Sequence, residues 1–475
     1  MDLTRKDLLK LAAAAGVAAG LPLQTGTANA TERTTSTGHH PVIERDVAII
    51  GGGSTGTYAA IRLRDLGKSV VVIERKDRLG GHTEKYVDPA SGASFNMGVV
   101  VWHNLPVAHS YLNRLGVPFA VGSIGGGSGG STGYVDFRTG KLVPDYRPPA
   151  PTQLPVLRDL IDRYPYLEHG FELPNPVPAE LLMPWGDFLA KHSLDTLPGL
   201  VANFGQGLGD IMNQPTLYVM KNFGSSLISD LLNNTFLNPV STNTHEIYEK
   251  AALVLGDDVL LSSEVTHTHR GHGVLLRVDT PDGPRVIRAK KLVITAPPLP
   301  SSLSAVDLDG TELSLFKRFR PGFYYTGVVR IAGLPAKTSL QNVGSDTVFN
   351  LPPLPGIYGL TQQGPADLYQ VKYGSDRALT DAQVQANVLA DLNRLRTAGA
   401  YPVTAAKFEA YSSHSPFELT VSVADIKKGF YRRLSALQGH RNTFYTGGAF
   451  HTQDSAMLWR FTETLIPRIR KSLHH

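Results

Sequence analysis

A glycine-rich loop near the N-terminus limits the possible folds more than any other feature of this sequence. Gly51-Gly52-Gly53-Ser54-Thr55-Gly56 has the spacing G-X-G-X-X-G and directly follows a short apolar run, Asp46–Ile50, that is typical of a buried strand. Helical spacing of apolar residues extends over Ser54–Leu66, and Gly67 is predicted to stop this helix. A second buried strand is predicted over Ser69–Glu74. This order predicts a dinucleotide-binding βαβ unit between about Asp46 and Gly81.

Each part of the loop has a physical role toward a dinucleotide. Gly51 allows the tight turn, Gly53 lets the backbone approach a pyrophosphate, and Gly56 lets the helix pack against the strand. The free N–H groups of the first helical residues, Ser54 and Thr55, favour an anionic phosphate.

The residues after the second strand distinguish FAD from NAD. Glu74 ends that strand, where a carboxylate can accept hydrogen bonds from ribose hydroxyls. The following run, Arg75-Lys76-Asp77-Arg78-Leu79-Gly80-Gly81-His82, resembles the Arg-X-Gly-Gly signature of the flavin amine oxidase superfamily. In that family the arginine helps to neutralise the pyrophosphate and the glycines let the backbone pass the ribityl chain. The resemblance implies FAD, with these cofactor-binding residues: Arg75, Arg78, Gly80, Gly81 and His82.

Three distant segments carry the same resemblance. Asn96-Met97-Gly98-Val99-Val100-Val101 resembles the family strand whose glycine lies against the flavin ring. Glu264-Val265, followed by a strand and Ile294-Thr295-Ala296-Pro297-Pro298, resembles the middle segment, in which the valine backbone meets the adenine. Tyr445-Thr446-Gly447-Gly448-Ala449 resembles the C-terminal strand and glycine turn before a helix that points at the flavin. The cofactor-binding residues implied are Gly98, Val99, Val100, Val265, Ala296, Gly447, Gly448 and Met457.

The resemblance implies an α/β FAD-binding Rossmann-type domain and an α+β substrate-binding domain, both discontinuous in sequence. Gly122–Gly133 is dense in glycine and serine and is interpreted as a loop, not as a second nucleotide site. Helices are predicted over Ser225–Leu237 and over the amphipathic segment Thr380–Ala398. The predicted segments are an export signal (1–30), a linker (31–42), FAD-binding parts (43–110, 246–310 and 435–475) and substrate-domain parts (111–245 and 311–434).

The N-terminus has the three regions of an export signal: a basic start, an apolar stretch over Leu8–Leu23, and the small-residue pattern Ala28-Asn29-Ala30. The start resembles a twin-arginine signal, with Lys6 where the second arginine normally stands. The alternative is a membrane-anchoring helix, although the stretch is short for a span of about 20 residues. We expect an exported protein, otherwise a cytoplasmic one, without a stable membrane span.

Composition excludes several classes of function. The chain has no cysteine, which rules out disulfides, thiolate metal sites and a cysteinyl flavin link. Its net charge of +5 comes from 46 basic and 41 acidic residues without a long basic run, so no nucleic-acid partner is expected. No metal-ligand spacing is present, and the oligomeric state stays open.

His82 raises the question of a covalent cofactor. Gly80-Gly81-His82-Thr83, together with Met97–Asn104, resembles a subgroup typified by fungal β-cyclopiazonate dehydrogenase, with fatty-acid double-bond isomerases as more distant neighbours. In that subgroup the flavin is covalently held, which implies attachment through His82. The alternative is a His82 hydrogen bond to the ribityl chain.

The candidate catalytic residues are Trp102, His103 and Tyr325. Trp102 and His103 follow the flavin-contacting segment and could project into the cavity, or they could be a core tryptophan and a helix-capping histidine. Tyr325, with its neighbour Tyr324, could wall an aromatic pocket or stack in a core. Amine oxidases usually carry a lysine in this strand, and Tyr325–Arg330 has none, so simple amine oxidation is not favoured.

These observations predict an FAD-dependent oxidoreductase that accepts a hydride at flavin N5 from a hydrophobic small molecule, such as a secondary metabolite. Oxygen or another acceptor would reoxidise the flavin. Two alternatives stay open: a redox-neutral isomerase acting on a lipid-like or metabolite double bond, and a flavin-binding protein without catalysis.

Overall fold

The structure is a computed structural model that describes residues 41–124 and 130–474. The predicted export signal, nearly all of the linker and the middle of the Gly122–Gly133 loop therefore lie outside the described residues. No described helix is long and apolar enough to cross a membrane. The strands are β1 (Val42–Ile50), β2 (Val70–Ile73), β3 (Lys85–Val87), β4 (Ser94–Asn96), β5 (Phe119–Gly122), β6 (Ser131–Asp136), β7 (Lys141–Leu142), β8 (Phe236–Pro239), β9 (Val259–Leu260), β10 (Glu264–Arg270), β11 (Val274–Asp279), β12 (Arg285–Ile294), β13 (Arg320–Pro321), β14 (Phe323–Ala332), β15 (Thr338–Asn342), β16 (Gly356–Gln362), β17 (Leu368–Ser375), β18 (Ala405–Ser413), β19 (Leu419–Thr420) and β20 (Thr443–Tyr445).

The helices alternate with these strands and are concentrated between residues 154 and 255. They are α1 (Ser54–Asp65), α2 (Pro106–Leu115), α3 (Leu154–Ile161), α4 (Ala179–Leu182), α5 (Trp185–His192), α6 (Pro198–Phe204), α7 (Thr216–Asn222), α8 (Ser225–Asn233), α9 (Glu246–Leu255), α10 (Gly310–Phe316), α11 (Asp381–Thr397), α12 (Val423–Lys427), α13 (Phe430–Ser435) and α14 (Ser455–Ser472). Short 3₁₀ turns include Pro165–His169 and Gly448–Phe450.

The first sheet has the strand order β10-β11-β12-β1-β2-β9, and β20 pairs with the end of β12. β1 runs parallel to both neighbours, with Val47 opposite Val70 on one side and Lys291 on the other. Val47 and Ile49 pack into one core cluster and Ala48 into another. β1 is therefore buried on both faces, which is why its sequence ends in a continuous apolar run.

Helices α1, α2, α9 and α14 pack together on this sheet. Their contacts are built from large aromatic side chains: the Tyr58 ring lies 4.8 Å from Tyr111, and Tyr111 lies 5.0 Å from Trp459. Helix α1 ends before Gly67, which has φ 71, and this confirms the predicted glycine stop.

The second sheet has the order β18-β14-β17-β16-β15-β6-β7. One face packs against α11 through residues such as Tyr325, Val329 and Leu392. The opposite face turns toward the first FAD-binding segment, where Gln370 Nε2 donates to Asn96 O at 2.9 Å. Helix α11 begins where predicted, because Thr380 and Gln383 cap each other through side chain and backbone.

The architecture confirms the predicted α/β Rossmann-type domain and α+β domain. Apart from Val42, the first sheet draws its strands from the predicted FAD-binding segments, and the second sheet draws its strands from the predicted substrate segments. The exact domain boundaries stay a prediction.

Three element predictions were wrong in detail. The helix predicted over Ser225–Leu237 ends at Asn233, because Asn234 turns left-handed and Phe236–Pro239 pairs with β5. The strand expected over Asn96–Val101 ends at Asn96, since Gly98 has φ 145 and leaves the β conformation. The C-terminal helix does not follow the glycine turn directly, because a 3₁₀ turn separates them.

Candidate functional site

The loop between β1 and α1 can be built only with glycine at two positions. Gly51 has φ 100, and a Cβ there would overlap Thr295 Oγ1. A Cβ at Gly56 would overlap the carbonyl oxygen of Gly51, so a side chain at Gly56 would force the helix away from the strand. This geometry agrees with the roles predicted for Gly51 and Gly56 from the G-X-G-X-X-G spacing.

The N-terminus of α1 has the properties of an anion site. Its first turn contains no acidic residue, and Gly53 at the cap has no side chain to satisfy the free N–H groups of Ser54 and Thr55. Ser54 Oγ is enclosed and has no hydrogen-bond partner among the described residues. A phosphate oxygen would satisfy such donors.

The second glycine segment crosses this loop closely. Gly80 N donates to Gly52 O at 2.9 Å, and a Cβ on Gly81 would lie 3.0 Å from the Cα of Gly53. Gly80 and Gly81 have φ 115 and 58, in the region that glycine tolerates. Neither glycine segment therefore carries a side chain where the two segments meet. A pyrophosphate and a ribityl chain would need this free space.

The charged residues beside the loop are engaged with the protein itself. Glu74 accepts hydrogen bonds from Gly52 N at 2.6 Å and from Lys76 N at 2.8 Å. Arg78 pairs with Glu84 at 2.9 Å, whereas Arg75 is exposed. A carboxylate has about four acceptor positions, so Glu74 retains capacity for ribose hydroxyls.

Lys76, which the signature did not single out, contacts the second glycine segment directly. Its Nζ donates to Gly81 O at 3.1 Å and pairs with Glu84 at 2.5 Å. Position in the Arg-X-Gly-Gly signature could not reveal this, because the contact depends on how residues 76–84 fold back.

Gly98 lies where His82 meets two aromatic partners. A Cβ on Gly98 would overlap His82 O and would lie 3.1 Å from His414 Cε1. The His82 ring stacks on His414 with centroids 4.5 Å apart, and it lies 5.6 Å from Phe417. Burial, with the charges of Lys76 and Arg75, lowers the pKa of His82 to about 4, so the imidazole is neutral at neutral pH.

The remaining cofactor candidates lie at backbone positions. Val99 O accepts from Thr244 Oγ1 at 2.7 Å, and Val100 follows it in the same irregular segment. Val265 lies at an irregularity in the β10–β11 ladder, and Ala296 N would lie 3.7 Å from a Cβ on Gly51. All four residues are partly buried.

The C-terminal turn faces the same region. Gly447 has φ 107, and a Cβ there would lie 2.9 Å from Thr295 O. A Cβ on Gly448 would overlap the Gln453 side chain. Asp454 is the N-cap of helix α14, and its Oδ1 accepts a hydrogen bond from Met457 N at 2.9 Å.

Two of the three catalytic candidates are placed in cores. Trp102 is buried among Tyr111, Trp459 and their neighbours, and its backbone N donates to Leu237 O at 3.0 Å. Tyr325 packs on the α11 side of the second sheet and exchanges hydrogen bonds with the Leu379 backbone at 3.3 and 3.2 Å. These positions agree with the alternatives of a core tryptophan and a tyrosine stacked in a core, because tight aliphatic and aromatic packing encloses each ring. A catalytic part for Trp102 or Tyr325 stays a prediction.

His103 is held between two carboxylates. Its Nδ1 lies 2.8 Å from Asp230 and its Nε2 lies 3.3 Å from Asp454. Burial alone would lower the pKa of His103, but Asp454 and Asp230 raise it to about 10. With both ring nitrogens engaged, His103 holds the start of α14 and has no free nitrogen for a substrate.

Tyr324, not Tyr325, faces the aromatic group around His82. Successive side chains of a strand point to opposite faces, so the two tyrosines of β14 separate. The Tyr324 ring lies 5.1 Å from Phe417 and 5.6 Å from His414.

Two ionisable residues near this face were also missed. Lys372 lies opposite Thr326 in β17, its Nζ has no hydrogen bond or ion pair to a described residue, and burial lowers its pKa. Glu418 is buried beside Phe417, and burial raises its pKa to about 7. A lysine inside the apolar run Leu368–Tyr373 was the available sequence signal, whereas Glu418 had none.

Comparison with known proteins agrees with this geometry. A family model for an NAD(P)-binding Rossmann-like domain matches residues 49–115. The FAD-dependent oxidoreductase oblC of Cochliobolus heterostrophus is 38% identical over 452 residues, covering 91% of this chain and 92% of its own. Beta-cyclopiazonate dehydrogenase of Aspergillus oryzae is 32% identical, with 90% and 94% covered.

Solved structures show the same fold. A CLA-producing fatty acid isomerase from P. acnes superposes with TM-score 0.71 at 21% identity, over 89% of this chain and 98% of that one. A putrescine oxidase variant gives TM-score 0.63 at 19% identity, over 91% and 100%. At these identities the likeness concerns the fold alone, which is that of the flavin amine oxidases.

Proposed function

The chain belongs to the family of FAD-dependent oxidoreductases, and on that premise we propose that it oxidises a hydrophobic small molecule, such as a secondary metabolite. When bound, FAD supplies the hydride acceptor, flavin N5, and oxygen or another acceptor restores it. The protein binds the dinucleotide through the Gly51–Gly56 loop and orients the substrate against the face of the second sheet.

One observation supports this assignment most strongly. His82 and Gly98, both expected at the flavin, meet the aromatic side chains His414, Phe417 and Tyr324 at the second sheet. An apolar aromatic wall with few charges favours an apolar substrate and excludes water from the reacting atoms.

The test is anaerobic mixing of the FAD-loaded protein with a panel of hydrophobic amines, indole-type compounds and unsaturated lipids. A substrate of an oxidase bleaches the flavin once and stops until oxygen is admitted. A panel member that is converted without oxygen and without lasting bleaching would favour the alternative, a redox-neutral isomerase. The reason to consider this alternative is the similarity of the fold to that of the fatty acid isomerase. Absence of any conversion or bleaching would oppose both.

We further propose that FAD is attached through His82. In this step a bond forms between an imidazole nitrogen and the 8α carbon of the flavin, one C–H and one N–H bond break, and two electrons and two protons pass to oxygen as hydrogen peroxide. A neutral imidazole supports the step because its lone pair is available, and the lowered pKa of His82 favours that form.

Acid precipitation of the FAD-loaded protein tests the attachment. The wild type should give a yellow pellet, and a peptide containing His82 should carry the flavin mass. His82→Ala should release all flavin, while His414→Ala, a change at the stacked neighbour, should retain the bond. A colourless wild-type pellet would leave His82 as a non-covalent contact.

The first 30 residues are proposed to direct export through the twin-arginine-like start. Mass measurement of the protein from the exported fraction should give a chain beginning near Thr31. Lys6→Arg, which restores the second arginine, should not reduce export. Recovery of the full-length chain from the cytoplasm alone would contradict the proposal.

A further inference from the structure

Glu418 is a buried carboxyl between two segments that are expected at the flavin. Its chain neighbour Phe417 packs on His82, with ring centroids 5.6 Å apart. On its other side, Glu418 Oε1 accepts from Gln453 N at 3.2 Å, and the Gln453 side chain lies against Gly448. Glu418 therefore lies between the His82 segment and the C-terminal turn, although it belongs to neither.

All hydrogen bonds to this carboxyl end on one oxygen. Oε1 accepts from Asn222 Nδ2 at 3.3 Å, Thr452 Oγ1 at 3.2 Å and Gln453 N at 3.2 Å. Oε2 accepts none from the described residues. Because a carboxylate can accept about four hydrogen bonds, Oε2 is the oxygen with capacity to take a proton.

The charged neighbours of Glu418 are engaged elsewhere. Lys221 Nζ donates to the carbonyls of Leu167 and Gly170 and lies over the Phe171 ring, and burial holds its pKa well below the usual range. Arg460 pairs with Glu168 at 2.6 Å. The neutral form of His451 is favoured by burial, which lowers its pKa. None of these groups forms an ion pair with Glu418 among the described residues.

This environment sets the protonation of Glu418. Burial raises the pKa of the carboxyl to about 7, against the hydrogen bonds from Gln453, Thr452 and Asn222 and the charge of Lys221, which lower it. A group that titrates near the working pH exchanges protons most effectively.

We propose that Glu418 is the proton acceptor of the oxidation reaction. The proposal rests on the proposed function, in which the substrate gives a hydride, with its two electrons, to FAD. The substrate also loses a proton from the adjacent carbon, nitrogen or oxygen, and Oε2 of the Glu418 carboxylate binds it while a double bond forms in the product. The resulting carboxylic acid returns the proton to solvent.

Glu418→Gln separates this role from a structural one. Glutamine keeps a carbonyl oxygen at Oε1 to accept the same three hydrogen bonds, and its amide replaces the unbonded Oε2, so we expect a folded protein. Infrared difference spectra of the FAD-loaded protein, taken across neutral pH, should show a carboxylic-acid C=O band that titrates near pH 7. The band should vanish in Glu418→Gln and remain in Glu168→Gln, whose carboxylate pairs with Arg460. A band unchanged by Glu418→Gln overturns the proposal.

Flavin absorbance supplies the second measurement. In the wild type the visible spectrum should shift with the same apparent pKa, and the shift should be lost in Glu418→Gln. With any compound that bleaches the wild type, Glu418→Gln should slow bleaching roughly 10²–10⁴-fold and remove the limb of the pH profile near neutrality. Bleaching at the wild-type rate would refute the role of Glu418 and leave the proposed function intact. Failure of every compound to bleach a wild type whose Glu418 titrates would instead refute the proposed function.

Discussion

At the scale of single residues, glycines, which have no side chain, determine the backbone geometry of this site more than residues that carry one. A Cβ on Gly81 or Gly98 would meet backbone atoms of another segment, and a Cβ on Gly56 would meet the backbone of Gly51 in its own loop. Backbone atoms cannot rotate away as a flexible side chain can, so these positions require glycine. Such requirements are local and steric, which is why the spacing of glycines in the sequence was informative.

Gly56→Ala should abolish FAD binding and destabilise the protein. Its Cβ would overlap Gly51 O, and relief would move α1 away from β1 at a cost of about 1–3 kcal/mol. Gly310→Ala is the matched control, because a Cβ there meets nothing within 4 Å. Urea unfolding and flavin content measure the two effects. Full flavin content in Gly56→Ala would show that the loop tolerates a side chain.

At the scale of elements, the start of α14 is fixed from a distance. Asp454 caps the helix through Met457 N and is itself held by His103, which also contacts Asp230 of α8. The buried His103 cation, between the buried Asp230 and the partly exposed Asp454, links the C-terminal helix to the segment after Gly98. The start of α14 is therefore oriented by α8, which lies in the predicted substrate segment.

His103 should make the stability of the protein depend on pH in alkaline solution. Its pKa is raised from about 6.5 when unfolded to about 10 when folded. The stabilisation is thus complete below about pH 6.5 and is lost as the pH rises through about 10. Urea unfolding between these pH values should show a falling free energy of unfolding.

His103→Gln should remove most of this pH dependence. It should also cost up to about 3 kcal/mol at neutral pH, since the buried Asp230 loses its cation while the partly exposed Asp454 keeps part of its hydration. His109→Gln, at a partly buried histidine hydrogen-bonded to Asn104, is the control. An alkaline slope that survives in His103→Gln would assign it to another group.

At the scale of the whole molecule, a few polar contacts connect the second sheet to the residues that follow β2. Arg330 of β14 pairs with Asp88 at 2.8 Å, and it also contacts Asp367 and Glu409 of its own domain. Ser412 Oγ donates to Glu84 Oε1 at 3.0 Å. These contacts fix the aromatic face of β14 opposite His82.

Arg330→Met should weaken this connection. Asp88 is buried, and without the guanidinium its carboxylate keeps only the hydrogen bonds from Ser91 and Tyr86, so we expect a loss of about 1–3 kcal/mol in the free energy of unfolding. Arg377→Met, whose exposed pair with Asp376 is solvent-screened, should change it by less than about 0.5 kcal/mol. Equal effects of the two substitutions would show that the Asp88 contact contributes little.

The sequence by itself determined the features that depend on neighbours along the chain. The Gly51–Gly56 loop, the glycine stop at Gly67, the capped helix α11 and the buried run of β1 follow from steric and periodic rules that act over a few residues. The family resemblance added FAD and the amine-oxidase-like fold, because its motifs are of the same local kind.

Only the tertiary structure decided which side chains meet. A one-residue difference in strand phase sends Tyr325 into the α11 core and Tyr324 toward His414. Trp102 could not be assigned to a core until α2 and α14 were seen to enclose it. Glu418 carries no motif, and its raised pKa arises from burial by segments distant in sequence. Burial and the phase of neighbouring strands are properties of packing, so the spacing of residue types along the sequence could not predict them.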